Sequence, residues 1–185
     1  MSDRAREWFF WIAAAVLVAL LVHFGSLYLV PRIVMARALE RLGAANTMHV
    51  GHRPDANART IVRPSPDILY ATCPFDLSKG PLRFRAPLTH ATYWSVSAFD
   101  SATNNFFVKN DRQVAGSEVE IIVVRPGQGF PQLDDALERI FLFAPSDKGL
   151  ILVRTVIDDE KHLPALSSLL HQARCETVAS AKKNR

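Results

Sequence analysis

The residues best suited to chemistry in this 185-residue chain are Asp67, Tyr70, Asp76, Lys79, Tyr93, Trp94, Asp100 and Asn104. They form its densest polar and aromatic cluster. Carboxylates and phenols on adjacent strands can line a small pocket as acid, base or hydrogen-bond donors. The same residues also have plain structural uses. Asp67 and Asp76 suit turns, Lys79 suits solvent, and Tyr93 and Trp94 suit opposite faces of one strand. Arg154 stands apart, embedded in the apolar run LILVRTVI (150–157). An arginine there calls for a carboxylate partner, Asp67 or Asp100, unless its strand position faces solvent. The candidate pocket is therefore Asp67, Tyr70, Asp76, Tyr93, Asp100, Asn104 and Arg154, and the enzyme alternative is an ester-type hydrolase using Asp67, Tyr70, Asp76 and Asp100.

Motifs with a defined mechanism are missing. The sequence has no G-x-S-x-G, no G-x-x-x-x-G-K, no C-x-x-C and no H-E-x-x-H, and Gly127-Gln128-Gly129 lacks the third glycine of a dinucleotide turn. His49 and His52 have H-x-x-H spacing but no third ligand nearby, so they read as surface histidines and no metal or cofactor is expected. The 22 Lys and Arg against 18 Asp and Glu leave a formal charge of +4, scattered along the chain. Nucleic-acid binding, which needs a basic patch interleaved with aromatics, is a poor fit.

The elements that must position these residues begin with a membrane address. Residues 1–7 form a short head, and Trp8 to Val30 carries no charge. At about 1.5 Å per residue such a helix spans a hydrocarbon core of about 30 Å. Trp8 and Trp11 sit at one end and Tyr28 at the other, where amphipathic rings favour the interface. A cleaved leader is the rival reading, since Ala36-Arg37-Ala38 has the small-x-small form, but the apolar run exceeds a leader's usual length. Arg32, Arg37 and Arg41 behind the span lean towards a cytoplasmic domain, whereas a short head with a long tail is the layout of an exported one. The exported side, periplasmic to a bacterial inner (plasma) membrane, is the expectation taken.

Residues 31–56 read as a juxtamembrane helix (31–42) opened or kinked by Pro31, then a turn-rich linker. Met35, Leu39 and Leu42 fall at helical spacing with Arg37 and Arg41 on another side, which suits either a collar on anionic head groups or a stalk packed on its own domain. Residues 57–178 form the folded domain. Strands are expected at 68–73, 82–86, 92–99, 105–109, 119–124 and 150–157 from period-two alternation and β-branched runs. A helical turn is expected at 133–139, a helix at 163–174 and a basic tail at 179–185. The fold class is α+β, mainly antiparallel β in a small sandwich-like sheet, with a C-terminal helix and one preceding transmembrane helix. Cys73 and Cys175 either pair across a long loop or remain two small apolar thiols.

Several stretches resemble a known family. Arg63-Pro64-Ser65-Pro66-Asp67-Ile68-Leu69-Tyr70, Asp76-Leu77-Ser78-Lys79-Gly80-Pro81, Tyr93-Trp94-Ser95-Val96 and Asp100 to Asn104 are similar to the ordered run of the family called domain of unknown function 1254. The resemblance implies a bacterial protein with a β-rich, sandwich-like domain. Many members carry a second domain of unknown function, number 1214, and this chain looks like the split form in which a separately encoded single-pass companion carries it. The partners implied are thus the lipid bilayer and that companion. One departure is Ser65, where the family usually has asparagine. Hydrolase activity has been suggested only for two-domain members.

Overall fold

The computed structural model describes residues 2–59, 63–87, 89, 91–114, 116–131 and 139–179. The helical turn expected over 133–139 lies outside these residues except for Arg139, which is extended in a strand, and the tail lies outside them from residue 180 onward. The apolar run forms a single helix, α1 (Asp3–Leu42), whose side chains are exposed along the whole span, with Met35 the only buried one. It is long and apolar enough to cross a membrane. Pro31 does not divide it, contrary to the expected separate helix. Proline removes one backbone donor to the preceding turn. There the Arg32 guanidinium donates to the Tyr28 carbonyl at 2.7 Å and lies 3.7 Å from the Tyr28 ring centroid. The helix stops at Gly43, whose φ of 106° is open to glycine and costly to other residues.

Nine strands follow: β1 (His49–Val50), β2 (Ile68–Asp76), β3 (Leu82–Pro87), β4 (Trp94–Asp100), β5 (Asn105–Asn110), β6 (Glu118–Val124), β7 (Arg139–Phe143), β8 (Lys148–Val156) and β9 (Arg174–Thr177). They make two sheets, ordered β1-β2-β8-β4-β5 and β7-β6-β3-β9. Every pairing is antiparallel except β6 with β7. A parallel neighbour requires a crossover connection, so β7 cannot continue the meander that the strand spacing suggests.

Alternation sets the faces. Leu69, Ala71, Cys73 and Phe75 of β2, Ile151 and Val153 of β8, and Trp94, Val96 and Ala98 of β4 are buried in one core. Leu82, Phe84 and Ala86 of β3 with Val119, Ile121 and Val123 of β6 belong to the same core. The short helix α2 (Leu163–Leu170) adds Leu166 and Leu170, with proline at its start as expected. It ends four residues earlier than the periodicity suggests. Arg174–Thr177 instead pairs with β3, which brings Cys175 opposite Phe84. Cys73 and Cys175 form a disulfide that joins the two sheets across 102 residues of sequence, with Cα atoms 6.3 Å apart. The pairing alternative is therefore the one realised.

Candidate functional site

Strand register decides which of the candidate residues can meet. Tyr70 on β2 lies opposite Arg154 on β8, and Arg154 lies opposite Ser95 on β4. Asp67 and Tyr93 sit at this same end of the sheet, where their carbonyls accept from Ile157 and Val156. Asp76 is paired with Lys148, and Asp100 with Gly149, at the opposite end. Six residues of strand, about 20 Å, separate Tyr70 from Asp76. The cluster that is dense in sequence is thus two groups in space, and it does not assemble into a single pocket.

The far group is occupied with turns. Asp100 is buried and its carboxylate accepts from the amides of Ala102 and Asn104 and from Asn104 Nδ2, at 2.8–2.9 Å. Those three bonds hold the β4–β5 connection, in which Thr103 takes a positive φ of 66°. Asp76 caps the 3₁₀ turn Leu77–Lys79 by accepting from the Ser78 amide. The Ser78 hydroxyl, donating to the same oxygen, holds the Asp76 carboxyl below its ordinary range, with Lys148 at 3.9 Å assisting. Because the folded-state value lies below the unfolded one, this contribution is full above the ordinary carboxylate range and is lost as pH falls through the depressed value. Asp76→Ala is expected to cost about 1 kcal/mol at neutral pH, as cap deletions do. Urea melts at pH 7 and pH 3 should show a smaller difference between variant and wild type at the lower pH.

The near group opens on a groove of about 810 Å³ between α1 and the outer face of the five-stranded sheet. Val34, Ala38 and Leu42, at i, i+4 and i+8, form the helical wall with Met35. Thr72, Leu150, Leu152 and Phe99 form the sheet wall, with Tyr70 and Arg154 above them. The C-terminal part of α1 therefore packs on the domain that follows it. His52, Arg53, Asp55 and Arg63 from the linker close the third side. Tyr70 Oη accepts from the Ser65 amide at 3.1 Å, a bond that does not depend on the Ser65 side chain. Arg53 is engaged by Glu160 and by the Pro66 carbonyl at 2.9 Å. Arg154 and Arg63 make no hydrogen bond or ion pair among the described residues. Arg154 is thus paired with neither Asp67 nor Asp100, the partners its setting suggests; Asp100 lies on the inner face of the sheet. The volume falls in the range of about 300–1,000 Å³ typical of ligand sites.

Tyr93 and Trp94 do not share a pocket, because Tyr93 is 47% exposed and Trp94 is buried in the core. His49 Nε2 lies 2.9 Å from the Ala44 carbonyl, a contact within the linker. Among the described residues no group of three or more His, Cys, Asp or Glu is placed to hold a metal. Sequence inspection passes over Glu120, which is buried and bonded by Arg83 Nε at 2.8 Å, with Arg139 Nε at 3.3 Å. A carboxylate neutralised from two sides is a structural tie between β3, β6 and β7. On the helical wall, Met35 and Leu42 are the residues that helical spacing singles out, while Val34 and Ala38 join them and Leu39 does not line the groove.

A family model described as "Protein of unknown function (DUF1254)" matches residues 45–177. Among solved structures, the VPA0106 protein from Vibrio parahaemolyticus is similar in fold, with a TM-score of 0.63 at 11% identity over 86% of this chain and 38% of that one. An uncharacterised protein from Burkholderia cenocepacia gives a TM-score of 0.47 at 15% identity over 88% of this chain and 44% of that one. This chain spans less than half the length of either. No curated protein matches it.

Proposed function

We propose that this chain, which belongs to the DUF1254 family of proteins of unknown function, is a single-pass membrane-anchored binding and assembly module of the bacterial envelope, acting with a separately encoded companion membrane protein. The observation that carries this reading is an exposed aromatic surface on β7, an edge strand of the four-stranded sheet. Phe130, Phe141 and Phe143 are 40%, 48% and 57% exposed, with ring centroids of Phe130 at 4.9 and 5.3 Å from the other two. Clustered exposed aromatics beside an edge strand suit a partner surface, since rigid rings bury large areas at small entropic cost.

The anchor reading is supported by the continuity of α1. The helix runs through Ala36-Arg37-Ala38, and the domain buries Met35, so cleavage there would remove a side chain that the fold uses. The Cys73–Cys175 bond suits an oxidising compartment and hence the exported side. Two sheets about one core suit a sandwich whose outer faces are free for partners. Confinement to one bilayer raises the effective concentration of a second anchored chain without any new contact.

The test is co-purification in mild detergent with the single-pass companion expressed from its own reading frame. Wild-type chain should retain it. Phe141→Ser with Phe143→Ser should lower retention at least tenfold, the scale of two interface aromatics. Retention that is absent in wild type, or unchanged in the double variant, overturns the proposal.

A further inference from the structure

We infer that the groove between α1 and the five-stranded sheet is a binding site for one anionic phospholipid drawn from the bilayer that α1 spans. The inference rests on the anchor reading for its supply of ligand, and on the groove's own chemistry for its selectivity. Apolar walls from Val34, Ala38, Leu150 and Leu152 meet two arginines, Arg154 and Arg63, that lack partners among the described residues. An arginine left unpaired at the rim of an apolar cleft is matched by an anion carrying an apolar tail. A guanidinium binds a phosphodiester through two parallel hydrogen bonds.

Depth along the helix points to the same occupant. Arg32 over the Tyr28 ring marks the expected interfacial level, just past the end of the apolar run at Val30. Val34 lies four residues beyond, about 6 Å along the axis. The head-group layer adds about 5–8 Å to each side of the hydrocarbon core. The mouth of the groove therefore opens at head-group level, where a lipid can enter by moving along the membrane while keeping its chains against the helix.

This site differs from a diffuse basic collar. Arg37 is exposed on another side of α1 and does not line the groove, whereas Arg154 is set in a strand of the domain. A collar would use Arg37 and be indifferent to Arg154.

The experiment is native mass spectrometry of the full chain released from detergent, with phosphatidylglycerol or phosphatidylcholine of identical acyl chains added. Wild type should retain one phosphatidylglycerol, with at least fivefold less retention of phosphatidylcholine. Arg154→Gln with Arg63→Gln should lower phosphatidylglycerol retention at least fivefold, and Arg37→Gln should leave it unchanged. Ala38→Trp, which fills the groove with both arginines in place, should abolish retention; an intact Cys73–Cys175 bond and wild-type circular dichroism verify its fold. Equal retention of the two lipids, loss with Arg37→Gln alone, or wild-type retention by the arginine pair or by a folded Ala38→Trp overturns the inference. Failure of the anchor reading shows separately, as extraction of the chain from native membranes by alkaline carbonate.

Discussion

Removing the Cys73–Cys175 bond is expected to destabilise the domain by about 3–5 kcal/mol. The bond closes a loop of 102 residues of sequence separation, and in the chain-entropy account a loop of that length contributes about 4.7 kcal/mol by restricting the unfolded chain. Domains of this size are stable by about 5–15 kcal/mol in total, so the loss is a large share. Local structure adds to the effect. Cys175 is the only buried residue of β9, a four-residue strand at the sheet edge, while Cys73 is fully buried at the centre of β2. The bond thus holds an edge strand that has little other apolar contact. The variant to use is Cys73→Ala with Cys175→Ala, because serine would leave a hydroxyl in the core without an assigned partner. Urea melts of the full chain in detergent should move to a lower midpoint both in the double variant and in reduced wild type. Coincident melts for oxidised and fully reduced wild type would refute the assignment of stability to this bond.

How far the sequence discloses this molecule depends on the range of the interaction that shapes each part. The long strands β2, β4 and β8 are legible from apolar patterning within 7–9 residues, and β6 from a β-branched run that is buried from Val119 to Val124. The apolar run of α1 is legible for the same local reason. β1, with two residues, and β9, with four, have no periodicity of their own and exist through their pairing with β2 and β3. The helical spacing that predicts a helix as far as Arg174 outruns α2, which ends at Leu170, and the β3 ladder and the disulfide claim Arg174–Thr177 as a strand.

The candidate site divides along the same line. Tyr70 and Arg154 can be singled out from composition, as a phenol and a cation embedded in strands. That they face each other, and that Asp76 and Asp100 do not, follows from the β2–β8 and β4–β8 registers, which no single segment encodes. The groove itself needs α1 laid beside that face, a long-range arrangement between residues 34–42 and 150–154.

Gly149→Ala is expected to cost more than about 3 kcal/mol, because a Cβ there meets its neighbours more closely than one at Gly43 or Gly80 does. Gly149 is buried in β8, with Phe75 of β2 on one side and Asp100 of β4 on the other. A Cβ built there overlaps both the Phe99 carbonyl oxygen and the edge of the Phe75 ring. The ring belongs to a fully packed core residue, 1% exposed. The carbonyl belongs to the central ladder between β4 and β8, where yielding would break strand pairing. Overpacking in a core usually costs about 1–3 kcal/mol when side chains can move aside, and more when backbone must. The backbone at Gly149 is extended, so the requirement is for space and not for a positive φ. Phe75→Leu relieves the ring overlap and leaves the carbonyl overlap in place. The pair should therefore be less destabilised than the sum of the two single changes, by about 0.5–2 kcal/mol of coupling, while remaining well below wild type. Thermal and urea melts of the four proteins complete the cycle. A Gly149→Ala protein melting within about 1 kcal/mol of wild type would mean that β4 and β8 can separate locally, and the tight β2–β8–β4 packing described above would be wrong at its centre.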